Sequence, residues 1–90
     1  MPSYLVESHL PRSAGERALA AGGRVRAACE ALSRDGTPAR YVRTTFVPED
    51  ETCFHLVEAR SAELAGEVCR RAELGSVRIV EASEARAARP

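Results

Sequence analysis

The order of extended and helical segments is the feature that most constrains this chain. Four segments rich in β-branched and aromatic residues are typical of strands, residues 4–10, 40–47, 52–58 and 76–81. Stretches with apolar residues at helical spacing follow the first and third of them. Each helix has one apolar stripe to bury, so both must cover one face of a sheet. The order βαββαβ therefore predicts an α+β ferredoxin-like fold, a four-stranded antiparallel sheet with two helices on one face.

Local signals set the ends of both helices. Residues 13–16, Ser-Ala-Gly-Glu, form a capping-box pattern that predicts the start of the first helix. Asp35 and Gly36 predict its end. Ser61 is the predicted N-cap of the second helix, which ends at Gly75.

The pair Gly22-Gly23 lies in the middle of the first helix. Each glycine costs a helix about 1 kcal/mol relative to alanine. The pair indicates either a fixed close approach of the helix to its neighbour or a helix that is merely soft. Of these two interpretations we favour the soft helix.

Charge and hydropathy limit the partners of the chain. Thirteen basic and 13 acidic residues give a net charge of zero among 90 residues, so neither nucleic acid nor an anionic membrane is an expected partner. No apolar run is longer than the four residues 18–21, so no transmembrane helix or signal segment is predicted. Three cysteines without a disulfide pattern favour the cytoplasm. Residues 1–83 are predicted to form one domain and residues 84–90 a flexible tail.

Side-chain alternation in the third strand predicts which residues face away from the helices. Phe54 and Leu56 are expected to pack beneath the helices because they are the large apolar residues of this strand. Cys53 and His55 then point to the face of the sheet that carries no helix.

Pairing of the first and third strands extends this prediction to a cluster. If Glu7 lies opposite His55, then His9 lies opposite Cys53 in an antiparallel register. Imidazole, thiolate and carboxylate groups are ligands that transition metals prefer, so the cluster predicts a Ni²⁺ or Zn²⁺ site. No CxxC, HExxH or HxH motif supports it.

Tyr41 and Arg43 of the second strand are predicted to border this cluster as cofactor-binding or anion-binding residues, although a one-residue change of register would turn them to the other face. A structural alternative exists for the same residues. His55 and Cys53 would then fill an interface between subunits, with Glu7 paired to Arg43. The half-polar face favours a second copy of the chain as its cover, in a two-fold homodimer.

Several segments resemble a family of small bacterial proteins of unknown function that includes a nickel-binding protein. The resemblance covers nearly the whole chain and is most specific around the predicted hairpin. The segments that carry it are residues 4–11 (YLVESHLP), 43–54 (RTTFVPEDETCF), 58–59 (EA), 69–72 (CRRA) and 78–82 (RIVEA).

The resemblance implies a ferredoxin-like fold, a homodimer packed through its sheets and, in at least one branch, nickel bound by histidine and acidic residues. Glu7 and His9 match the Glu/Asp-x-His strand of the family. His55 lies where relatives often have cysteine. Cys69 lies where the second helix of relatives has histidine or asparagine, so its thiolate is a further candidate ligand.

Three functional hypotheses follow from the sequence. The first is a small cytoplasmic protein that binds nickel or zinc through the five donors Glu7, His9, Cys53, His55 and Cys69. The second is a non-catalytic homodimeric module whose work is interaction. A small-molecule enzyme of the dimeric α/β-barrel type is less favoured, because the chain has only four aromatic residues to line a pocket.

Overall fold

Four strands and two helices follow one another along the chain in the predicted order βαββαβ. The computed structural model describes residues 1–83, so the predicted tail at residues 84–90 lies outside the described residues. The elements are β1 (Ser3–His9), α1 (Gly15–Arg34), β2 (Ala39–Val47), β3 (Thr52–Ala59), α2 (Ala62–Arg71) and β4 (Arg78–Ala82), with a 3₁₀ turn at Pro48–Asp50 between β2 and β3.

The four strands form one antiparallel sheet in the order β2-β3-β1-β4. This confirms the α+β ferredoxin-like prediction. Both helices pack against one face of the sheet, and their apolar stripes bury the core there. We call the opposite surface the open face. No helix among residues 1–83 is long and apolar enough to cross a membrane.

The helix ends show where local signals succeed. Ser61 caps α2 as predicted, because its Oγ accepts a hydrogen bond from the Leu64 N–H at 3.2 Å. Gly36, with φ +89°, follows the end of α1 as predicted. The capping box at Ser13 is wrong. Ala14 is the N-cap of α1 and has no side-chain cap. The Ala14 N–H donates to the Pro11 carbonyl in a turn, and the helix begins one residue later than predicted.

The main core lies between the helices and the middle of the sheet. It is built from small and medium side chains, which bring the two layers close together. Its buried members are Tyr4, Val6, Val25, Ala28, Cys29, Leu32, Ala39, Val57, Ala59, Ala65, Val68, Cys69 and Ala72. A second small cluster, of Leu10, Ala14, Ala18 and Cys53 with Phe46 packed against it, closes the end of the sheet near the hairpin.

The predicted orientation of β3 is wrong. Phe54 and Leu56 lie on the open face, where Leu56 is paired with Leu5 of β1. Cys53 and Val57 face the helices and are fully buried. Because side chains alternate along a strand, every residue of β3 is on the face opposite to the one predicted.

Candidate functional site

The sheet separates residues that the sequence placed in one cluster. Glu7 and His9 lie on the open face as predicted. Cys53 and His55 lie on the helix-covered face, and both are 0% exposed. The residue opposite His55 is Val6, one position from the predicted Glu7. The predicted cluster on the open face is therefore wrong, because a one-residue slip sends its members to opposite sides of the sheet.

Tyr41 and Arg43 are separated in the same way. Tyr41 lies opposite Val57 on the helix-covered face, whereas Arg43 lies opposite Leu56 on the open face. The register shifts between them, because Val42 is an extra residue in the pairing of β2 with β3. Such a bulge reverses the alternation of side chains beyond it. The prediction that both residues border one site is wrong.

Cys69, the fifth predicted metal ligand, is a core residue of α2. Its side chain is 5% exposed and packs in the main core with Cys29. Burial raises the pKa of the Cys69 thiol, which disfavours the thiolate that a metal requires. Within residues 1–83, no three His, Cys, Asp or Glu side chains converge to hold a metal ion. Metal binding by any of these residues stays a prediction.

A chain of hydrogen bonds runs through the helix-covered face. The Tyr41 hydroxyl lies 2.7 Å from Thr44 Oγ1, and Thr44 Oγ1 lies 2.8 Å from His55 Nδ1. On the other side of the imidazole, Nε2 lies 3.6 Å from Cys53 Sγ. We call these four residues the buried polar chain. Both ring nitrogens of His55 thus have partners, and burial of the imidazole leaves no polar atom unsatisfied.

The surroundings of the buried polar chain keep His55 and Cys53 neutral. Burial lowers the pKa of His55, and the positive charge of Arg24 lowers it further. Burial also raises the pKa of the Cys53 thiol. A catalytic cysteine needs a lowered thiol pKa and access to its substrate. Cys53 has neither, so the Cys53–His55 pair is not an activated nucleophile.

Gly22 is what allows α1 to approach this chain closely. A Cβ at position 22 would lie 2.7 Å from Thr44 Oγ1 and 3.2 Å from the Tyr41 hydroxyl, whereas a Cβ at Gly23 would meet no atom within 4 Å. Of the two interpretations of the glycine pair, the close approach holds for Gly22. The glycine pair was the only signal of this contact in the sequence. Thr44 gave none, because nothing local marks which threonine of β2 faces the helix.

A groove opens between α1 and the edge strand β2, directly above this contact. Its volume is about 390 Å³. Its lining combines apolar side chains with polar groups, among them the hydroxyl end of the buried polar chain. We define the α1–β2 groove by its lining residues Gly15, Ala18, Leu19, Gly22, Gly23, Arg26, Tyr41, Thr44 and Phe46.

A more polar depression continues the groove along β2. It has a volume of about 500 Å³ and shares Arg26 and Tyr41 with the α1–β2 groove. The Arg26 guanidinium lies 5.2 Å from the centre of the Tyr41 ring, a cation–π contact at the junction. Arg34, Arg40 and Glu30 line the depression further along, so three arginines, Arg26 included, and one glutamate surround it.

The open face has an apolar centre. The register places Leu5, Leu56 and Val80 side by side on the inner strands β1 and β3 and the edge strand β4. Phe54 lies in the next row, and a depression of about 260 Å³ between Leu5, Leu56 and Phe54 is completed by two residues of β2. Arg43 is one of these two.

A row with an arginine–glutamate ion pair flanks this apolar centre on each side. On one side, Arg78 donates to Glu7 at 3.1 Å. On the other side, Arg40 donates to Glu58 at 3.0 Å. Both pairs are partly exposed, so each contributes at most about 1 kcal/mol to the free energy of folding. Their effect on binding is larger, since they set the charge pattern around the apolar centre.

Comparison of the chain with protein-family models, with curated proteins and with solved structures gave no significant match in any of the three. The function must therefore be argued from the two surfaces described above, the open face and the α1–β2 groove.

Proposed function

We propose that this protein is a self-associating module that forms a two-fold homodimer through its open face. The observation that carries the proposal is the apolar row Leu5, Leu56 and Val80 at the centre of a sheet surface opposite both helices. Leu56 is 6% exposed, and Leu5 and Val80 are partly exposed, so the row offers a modest apolar surface. Apolar surfaces rimmed by polar groups mark interaction sites. Two sheets stack face to face at about 10 Å, which suits a second copy of the same surface.

The charges around the apolar centre are compatible with a second copy. Each flanking row holds one arginine and one glutamate, and Arg43 of β2 ends the central row, so the arginines lie on the edge strands and the glutamates on the inner strands. A two-fold interface brings the same patch of both copies together. A surface that carries both signs of charge lets cations of one copy lie near anions of the other, which supports self-association over a strongly acidic or basic partner.

The size of the face sets the expected affinity. With strands about 4.8 Å apart and a rise of about 3.3 Å per residue, seven residues of four strands cover roughly 450 Å² per copy. Two copies bury roughly twice this flat area, and side-chain relief adds to it, which places the interface near the lower end of specific complexes. We therefore expect a reversible dimer whose population depends on protein concentration.

Sedimentation equilibrium of the wild type and two matched variants tests the proposal. Leu5→Glu places a charge at the centre of the open face, and Leu19→Glu makes the same change on α1, where Leu19 is 79% exposed. We expect the wild type and Leu19→Glu to dimerise and Leu5→Glu to remain monomeric with an unchanged far-UV spectrum. A wild type that stays monomeric at roughly 100 μM, where an association free energy of about −5.5 kcal/mol would already produce dimer, refutes the proposal.

Nickel or zinc binding is a second candidate function, and one observation supports it. Glu7 and His9 are two residues apart in β1 and share the open face, so a dimer through this face would contain two copies of the pair. Glu7 is engaged by Arg78, and a bound cation would have to displace that arginine. Calorimetry with Ni²⁺ and Zn²⁺ tests this, and a His9→Ala variant should lose the heat of binding. Absence of heat in the wild type at neutral pH contradicts it.

A further inference from the structure

The α1–β2 groove combines three features that one class of ligand would satisfy. It has apolar walls from Ala18, Leu19 and Phe46, hydroxyl groups on its floor from Tyr41 and Thr44, and a guanidinium group at its junction with the arginine-rich depression. Its volume of about 390 Å³ lies within the range of small-molecule pockets, which is about 300–1,000 Å³. Leu19 is 79% exposed at the rim, although it is one of the largest apolar side chains of the molecule.

The floor of the groove is held rigidly. The Tyr41 hydroxyl is fixed by Thr44 at 2.7 Å, and Thr44 is fixed by His55 at 2.8 Å. The Gly22 backbone packs too closely over Thr44 Oγ1 to admit even a Cβ, and Tyr41 and Thr44 line the groove beside this contact. A polar group in a fixed orientation at the end of an apolar cleft is the arrangement that gives a binding site its specificity.

The direction of the hydrogen bonds depends on the imidazole tautomer. If the Cys53 thiol donates to His55 Nε2, then Nδ1–H donates to Thr44 and the Thr44 hydroxyl donates to Tyr41. The phenolic proton of Tyr41 is then available to a ligand. In this direction each hydrogen bond polarises the next, which strengthens the last donor toward a negative charge. The Arg26 guanidinium beside the Tyr41 ring favours the same sign of charge.

We infer that the α1–β2 groove binds an amphipathic organic carboxylate. Its carboxylate accepts a hydrogen bond from the Tyr41 hydroxyl and pairs with Arg26, and its aliphatic or aromatic body lies along Leu19 and Phe46. The thiol of Cys53 at the far end of the buried polar chain orients the hydrogen bonds and does not touch the ligand. This site lies on the side of the sheet opposite the open face, so it does not depend on the proposed homodimer.

Chemical-shift titration of the ¹⁵N-labelled wild type with three probes tests the inference. Octanoate carries both the carboxylate and the apolar body, octan-1-ol carries only the body and acetate only the carboxylate. We expect saturable octanoate shifts centred on Gly22, Gly23 and Thr44, with binding at least about tenfold weaker for the other two probes. Octan-1-ol lacks the charge-assisted hydrogen bond and acetate lacks the buried alkyl chain, and each of these is worth about this factor or more.

Matched variants locate the two polar contacts. Tyr41→Phe and Arg26→Gln should each weaken octanoate binding about tenfold and leave octan-1-ol binding unchanged. Tyr4→Phe and Arg60→Gln make the same chemical changes outside the groove and should bind octanoate as the wild type does.

Three results would overturn the inference. They are an absence of saturable shifts with octanoate, equal binding of octanoate and octan-1-ol, and equal losses in the groove variants and their controls. The monomeric Leu5→Glu variant should bind octanoate as the wild type does. Failure of the homodimer proposal and failure of this inference are therefore separate outcomes.

Discussion

The close approach of α1 to β2 predicts opposite effects for the same substitution at two adjacent residues. In an exposed helix interior, glycine to alanine stabilises a protein by about 1 kcal/mol. Gly23→Ala should show this gain, because nothing lies within 4 Å of the added Cβ. Gly22→Ala places a Cβ 2.7 Å from Thr44 Oγ1, so the helix must move or Thr44 must rotate.

The expected cost at Gly22 follows from what each movement would lose. Rotation of Thr44 breaks its hydrogen bonds with both Tyr41 and His55, and displacement of α1 opens gaps in the core. Overpacking of this kind costs about 1–3 kcal/mol, from which the helix-propensity gain of about 1 kcal/mol is subtracted. The two variants should therefore differ by about 2 kcal/mol in their free energy of unfolding, with Gly22→Ala the less stable.

Thermal and urea denaturation followed by circular dichroism at 222 nm measure this difference. For a domain of this size, 2 kcal/mol corresponds to a separation in Tm of roughly 8–16 °C. The urea m-values should agree between variants, since the surface exposed on unfolding is unchanged. Equal stabilisation by Gly22→Ala and Gly23→Ala would show that the helix-to-sheet contact is soft and would refute the reasoning.

Three further predictions concern the buried polar chain and the core thiols. Thr44→Val removes the partner of His55 Nδ1 and should lower the free energy of unfolding by about 1–3 kcal/mol, whereas Thr45→Val on the open face should change it by less than about 0.5 kcal/mol in urea denaturation. The pKa of His55 is lowered in the folded protein, so the unfolded chain takes up a proton first as the pH falls below 6.5. The free energy of unfolding should therefore decrease below that pH, by up to about 1.4 kcal/mol per pH unit, until the folded imidazole also titrates. A His9→Gln variant should keep that pH dependence in denaturation curves, and a pH-independent stability between 5 and 7 would contradict the burial of His55. Burial raises the pKa of Cys29 from 9.0 to about 11, so its thiol should react with a disulfide reagent at pH 8 only after unfolding, and rapid labelling of the native chain would contradict the core assignment.

The two proposed surfaces use opposite sides of one thin sheet. The open face contains Leu5 and Leu56, and the helix-covered face contains the buried polar chain at Thr44 and His55. Both surfaces involve β2 and β3, since Arg43 and Thr44 are adjacent and point in opposite directions. A single residue of slip in this pairing would turn the side chains of β2 to the opposite faces, so both proposed surfaces depend on the register of β2 with β3.

Local sequence signals predicted the elements well because their physical causes are local. Ser61 caps α2 through a hydrogen bond to a residue three positions away, and Gly36 ends α1 through its own backbone conformation. The strand order follows from short connections and the need to cover one apolar face. The helix ends depend on no contact with a distant segment, and general connection rules give the strand order, so the fold class could be read from the order of residues along the chain.

The candidate sites could not be predicted in this way, because β3 has no polar face. Phe54 and Leu56 on one side and Cys53 and Val57 on the other leave its alternation ambiguous, so hydropathy could not decide which side meets the helices. The orientation in the structure involves residues far apart in the chain: Gly22, 33 residues before His55, makes room for Thr44, whose hydroxyl satisfies the buried imidazole.

The bulge at Val42 is a second feature that the sequence did not predict. It sends Tyr41 toward α1 and Arg43 toward the open face, and no composition signal marked it. Each of these outcomes is fixed by contacts between segments that are far apart along the chain, where packing and hydrogen-bond satisfaction act together. The succession of helices and strands therefore belongs to local chemistry, and the assignment of each functional side chain to a face belongs to the assembled sheet and its helices.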